Sequence, residues 1–127
     1  MKFDPTNPPR RFEVGHGIKF ELQDCGTVHL LPDEQVTFVT ETGSQYDVVR
    51  KDWGFYATPS LNGRLPQFGL HGALVVNQES RRYYVLLVEE GKEDRFKAYC
   101  SQEGLRVVLW LDRTDTVERW CDDSGGS

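Results

Sequence analysis

An all-β fold is predicted by this sequence: one antiparallel β-sandwich or jelly-roll barrel of about nine or ten short strands, with a short C-terminal helical turn. Apolar and polar residues alternate with period two in several segments, turn residues recur at intervals of about ten, and the single helix-start pattern stands near the end. Two sheets packed face to face also account for strands that carry apolar residues on both sides.

Residues 1–11 read as an extended tail, because Pro5, Pro8 and Pro9 lack ladder donors and bias the residues before them away from helix. The domain itself is expected over 12–121. Ile18, Phe20 and Leu22 alternate with Lys19, Glu21 and Gln23, which places the two sets on opposite faces of a strand. Asp24-Cys25-Gly26 then reads as a turn. Residues 27–31 and 35–41 form the next strands, separated by Pro32-Asp33-Glu34 and followed by the break Thr42-Gly43-Ser44. A strand over 46–50 continues past a kink near Asp52 into 53–57, and Asn62-Gly63 is a turn signal that tips a hairpin or long loop. Core resumes at Phe68, Leu70 and 73–76. The continuous apolar run 83–88 reads as a central strand covered on both faces. Strands over 95–101 and 105–112 complete the set. Asp115 stands three residues before Glu118, a capping-box-like start for a helical turn reaching Trp120, and 122–127 read as a disordered tail.

A chain of 127 residues is one domain by length, and it shows no repeat and no linker. Its net charge of −5 excludes the basic footprint of sequence-independent nucleic-acid binding. The proline-rich start has no apolar run, so neither a secretory signal nor a membrane span is expected. Cys25, Cys100 and Cys121 are an odd, scattered set that fits reduced intracellular thiols, which makes the cytoplasm the expected compartment. Zinc-site spacing, GxSxG, a P-loop and a dinucleotide fingerprint are all missing, and no metal or cofactor is expected.

Leu31-Pro32-Asp33-Glu34-Gln35-Val36 and the β-rich run after it resemble the rhythm of the cupin superfamily. The metal-binding cupins need two nearby histidines, a glutamate and a third histidine on a later strand. His16, His29 and His71 stand apart and do not supply that set, so no family is assigned. His16 and His71, each flanked by glycines, read as turn, loop or bulge residues. His29 faces away from its neighbours Val28 and Leu30, toward a cavity if the sandwich is covered on both sides there.

The stretch 50–65 crowds charges of both signs, three aromatics, hydroxyls and an Asn-Gly turn without clean alternation, as ligand-presenting surfaces do. Sugars are held by an aromatic face against the ring and by planar polar groups on the hydroxyls. Asp52, Trp53, Tyr56, Asn62 and Arg64 are of those types, and Arg50, Lys51 and Arg64 suit a phosphate or carboxylate. In the competing reading Trp53, Phe55 and Tyr56 are core and the charges form a solvated edge. Three functions are therefore expected in competition: a recognition domain for a sugar or sugar derivative in carbohydrate metabolism; a metal-free isomerase or epimerase with His29 as base and Tyr56 as acid; and a self-assembling β-protein that forms a homodimer through sheet edges.

Overall fold

The computed structural model describes residues 1–15 and 17–123. His16 and 124–127 lie outside the described residues, and with them the readings of His16 as a turn and of most of the C-terminal tail. Among the described residues strands dominate, in three antiparallel sheets, none of them closed. The sequence-based all-β expectation fits at that level.

The first sheet is a two-stranded ribbon of β1 (Lys2–Val14) and β2 (Phe20–His29). Residues 1–11, read as a tail, are extended but paired over much of their length. Pairing slips between Pro5 and Arg10, where Pro8 and Pro9 offer no N–H to the ladder. Asp24-Cys25-Gly26 lies inside β2 rather than forming a turn, and Gly26 holds φ +150 where a Cβ would meet the Asp4 carbonyl at 2.5 Å.

The middle sheet is a meander of β3 (Gln35–Val39), β4 (Gln45–Lys51) and β5 (Gly54–Tyr56). Its break at residues 42–44 is where the sequence marks it, but at Asp52 the strand does not kink and run on: the chain reverses there, and β5 returns antiparallel to β4 with Gly54 opposite Lys51. Asn62-Gly63 does not tip a hairpin; it leads into the single turn α1 (Arg64–Gln67), which drives Leu65 into full burial.

The third sheet has β6 (Leu70–Asn77) at its centre, flanked by β7 (Tyr83–Glu89) and β8 (Leu105–Trp110). Both neighbours are antiparallel to β6, so they run parallel to each other, and a parallel pair needs a long crossover. That crossover is α2 (Glu93–Glu103), over residues read as a strand at 95–101. Phe96, Cys100 and Glu103 recur at helical spacing, Phe96 packs against the core and the other two are buried, and Gly104 ends the helix at φ 68. The central buried strand is β6, with Ala73, Val75 and Val76 wholly enclosed. The 83–88 run instead forms an edge strand whose Tyr83, Tyr84 and Val85 are exposed. The late helical signal extends to α3 (Thr114–Asp123).

A carboxylate joins the second and third sheets. Glu89 Oε1 accepts from Thr40 Oγ1 at 2.8 Å, from Ser44 Oγ at 2.9 Å and from Thr42 Oγ1, while Lys92 Nζ meets Oε2 at 2.9 Å. The Thr42 hydroxyl first, then Lys92, Thr40 and Ser44, hold its pKa down to about 2 against an ordinary 4.5. A depressed folded-state pKa means that this contribution to stability is present above pH 4.5 and is lost as pH falls toward 2. Glu89→Gln is therefore expected to lower Tm at pH 7 by roughly 5 °C. Thermal melts followed by circular dichroism should show the gap between variant and wild type closing as pH drops toward 2; a gap independent of pH would contradict the ionic clamp.

Candidate functional site

Residues paired across an antiparallel sheet share a face, and neighbours along a strand alternate. In the middle sheet the register therefore puts Gln35, Thr37, Asp47, Val49, Lys51 and Tyr56 on one face, and Val36, Phe38, Tyr46, Val48, Arg50 and Phe55 on the other. Phe38 and Tyr46 stack on the second face, ring centroids 5.1 Å apart. The first face carries a cavity of about 340 Å³, lined by Gln35, Asp47, Val49, Tyr56, Pro59, Ser60 and Arg64.

The segment after β5 folds back to supply the opposite wall. Ser60 organises it: the Arg64 N–H donates to Ser60 Oγ at 2.7 Å and the Leu65 N–H to the Ser60 carbonyl at 3.1 Å. With its backbone held there, Arg64 reaches Asp47 Oδ2 at 3.2 Å and lies over the Phe68 ring at 5.0 Å. The other oxygen of Asp47 accepts from Thr37 Oγ1 at 2.7 Å. Only 16 % of the Asp47 side chain is exposed, against 58 % for Arg64, so the carboxylate is the rigid half of the pair.

Of the residues singled out from sequence, Tyr56 and Arg64 meet in this cavity. Arg50 points to the opposite face. Lys51 is bound to Asp33, whose hydrogen bond and charge raise the pKa of the ammonium. Asp52 and Trp53 form the β4–β5 turn, and Asn62 lines a different cavity beside Leu111 and Val117. Trp53 is 70 % exposed, Phe55 59 % and Tyr56 53 %, so the reading of these aromatics as core does not hold. Asp47, Gln35 and Ser60 were missed. A charged residue inside the otherwise apolar-alternating strand 46–50 was the available signal for Asp47.

His29 sits on the ribbon, its Nε2 2.9 Å from Asp4 Oδ2, on a separate sheet from Tyr56. A His29–Tyr56 acid–base pair is thus not assembled. His71 is neither loop nor bulge but the second residue of β6, and its Nδ1 lies 2.6 Å from Asp112 Oδ2. None of the three cysteines is in a disulfide, and Cys100 is buried, with its thiol pKa raised by that burial. No group of His, Cys, Asp and Glu able to hold a metal occurs among the described residues, and no described helix is long and apolar enough to cross a membrane.

Across 71 residues the chain is 37 % identical to a protein of Arthroderma otae described as a probable aspartic-type endopeptidase. The match takes in 54 % of this chain and 17 % of that protein, so the chain spans about a sixth of the relative's length. No family model and no solved structure matches the chain.

Proposed function

We propose that the chain is a recognition domain for a small polyhydroxylated ligand, a sugar or sugar derivative, bound between the middle sheet and the 58–64 segment. The observation that carries this reading is one cavity in which an exposed aromatic ring, Tyr56, faces the planar polar groups of Asp47, Gln35 and Arg64 and the hydroxyl of Ser60. Its volume of about 340 Å³ suits a single sugar ring rather than a chain. Asp47 spends one lone pair on Thr37 and one on Arg64, and a carboxylate has about four, so acceptor capacity remains for ligand hydroxyls. Stacking on Tyr56 and each hydrogen bond contribute about 1 kcal/mol.

A thermal-shift screen against free sugars, nucleotide sugars and simple phosphates tests this. The expected result is a Tm increase with a sugar-type ligand that Tyr56→Ala and Asp47→Asn each reduce at least tenfold in apparent affinity. Binding that survives both substitutions, or no shift across the screen, refutes the site. Peptidase activity in the sense of the Arthroderma relative has weaker support. An aspartic dyad shares one proton, so one carboxyl must be made less acidic. Glu34, Glu89 and Glu93 are made more acidic by their hydrogen bonds and ion pairs, the opposite of what a dyad's proton-bearing member needs.

A second reading, self-assembly, is favoured by the surface. A folded monomer of 14.6 kDa exposes about 6,900 Å², whereas this chain exposes 9277 Å². The excess, about 2,400 Å², matches what one subunit of an obligate homodimer buries. The ribbon shows where. Phe3, Pro5, Phe12, Val14, Phe20, Leu22 and Val28 share one face, interrupted by the Arg10–Asp24 ion pair, while Lys2, Asp4, Arg11, Glu13, Glu21, Gln23, Thr27 and His29 share the other. Phe3, Phe20, Leu22 and Val28 are exposed on that apolar face, and a lone hairpin is marginally stable in water. A second copy laying its own ribbon face on this one would cover both. Sedimentation at low micromolar concentration should give a dimer, and Leu22→Glu should give a monomer that keeps its far-ultraviolet spectrum. A wild-type monomer at about 100 µM would remove this reading.

A further inference from the structure

A second cavity, of about 240 Å³, opens at one end of the layer between α2 and the third sheet, lined by His71, Val88, Glu93, Trp110, Asp112 and Arg113. Its parts come from four elements, β6, β7, α2 and β8, and from the residues just after β8. The Leu111 N–H donates to the Gly72 carbonyl at 2.8 Å, which carries the β8 register one step past Trp110 and brings Asp112 beside His71. Glu93 is the first residue of α2, and Val88 lies opposite His71 on β7.

The chemistry of the lining is divided. Asp112 is an acceptor only, so the 2.6 Å contact places an imidazole proton on Nδ1, and in the neutral ring Nε2 is then a lone-pair acceptor with no partner among the described residues. Glu93 accepts from the Gly91 N–H at 3.2 Å. Its own backbone N–H first, then that of Gly91, hold its carboxyl below the usual range, so it stays ionised. The cation in the lining is Arg113, a guanidinium on an exposed side chain. Val88 and Trp110 supply an apolar wall, with Trp110 set edge-on to Phe96 at 5.8 Å. A cation, two acceptors and an apolar wall around room for about eight water molecules describe a particular class of guest.

We propose that this cavity binds a small α-amino acid, Arg113 taking its carboxylate, Glu93 and His71 Nε2 its ammonium, and Val88 and Trp110 facing its side chain. The site is separate from the sugar-type cavity and stands or falls independently of it. Asp112 is a positioning residue, since it fixes the tautomer and ring orientation of His71 without meeting the guest.

The test is an NMR titration of the full chain with glycine, L-alanine and L-serine, with acetate and methylamine as probes of each half of the guest. At least one amino acid should move the signals of the His71 ring, the Trp110 indole and the Glu93 amide. Acetate and methylamine should bind at least tenfold more weakly. Arg113→Gln, at an exposed position and expected to keep the wild-type Tm, and Glu93→Gln, which gives up ionic contacts at the start of α2 and is expected to lower Tm slightly while keeping the fold, should each weaken amino-acid binding at least tenfold. Unmoved His71 and Trp110 signals at about 10 mM amino acid, roughly tenfold above the upper end of ordinary KM values, acetate binding as well as alanine, or full affinity in both variants would each overturn the proposal.

Discussion

One carboxylate oxygen, Glu89 Oε1, gathers three hydroxyls from the turn that joins β3 to β4. Each hydroxyl alone is a modest contact, but together they moor the middle sheet to the end of β7. The same junction is tightened by the backbone, where the Gln45 N–H donates to the Phe68 carbonyl at 3.2 Å and the Glu90 N–H to the Gly69 carbonyl at 2.9 Å. Gly69 holds φ +86, and a Cβ there would stand 2.8 Å from Ser44 Oγ, so only glycine lets the two segments approach. Because 60–68 hangs between β5 and this junction, the clamp also decides where Ser60 and Arg64 come to rest against Asp47.

The enclosed core is small and belongs to the third sheet. Ala73, Val75 and Val88 form its centre, with Leu86, Phe96, Leu105, Val107 and Trp110 packed around them. The ribbon touches the rest of the chain at few points: the Met1 ammonium on Glu34 at 3.0 Å, the Gly17 N–H on Glu103 at 3.1 Å and the Phe20 ring near Tyr99 at 6.3 Å. Hydrophobic burial at about 25 cal/mol per Å² rewards covering the ribbon's apolar face, and folding of the single chain leaves that reward uncollected. The proposed assembly and the proposed ligand site thus draw on different surfaces, and neither excludes the other.

The two cavities differ in how they are made. In the first, strand register aligns Gln35, Asp47 and Tyr56 on one face, and a folded-back loop supplies Ser60 and Arg64. In the second, His71, Glu93 and Asp112 come from the ends of a strand, a helix and a strand that converge at one end of the helix layer. Register is a local property of adjacent strands, whereas convergence of element ends depends on the crossover, which is why the first was partly visible in sequence and the second was not.

Period-two patterning and turn residues determined the strand-rich class and most of β2, β3, β4, β6 and β8, because alternation follows directly from the pleat. They also drew attention to the stretch that holds Tyr56 and Arg64. The helix α2 was hidden because its exposed face is charged and its buried face is marked only by Phe96, Cys100 and Glu103, a pattern that a strand period also accommodates over so short a run. Whether 83–88 is central or at an edge, and whether His71 lies in a loop or against Asp112, are questions of long-range pairing. Tertiary structure alone decided them, since residues 41 apart in sequence carry no local trace of the hydrogen bond that joins them.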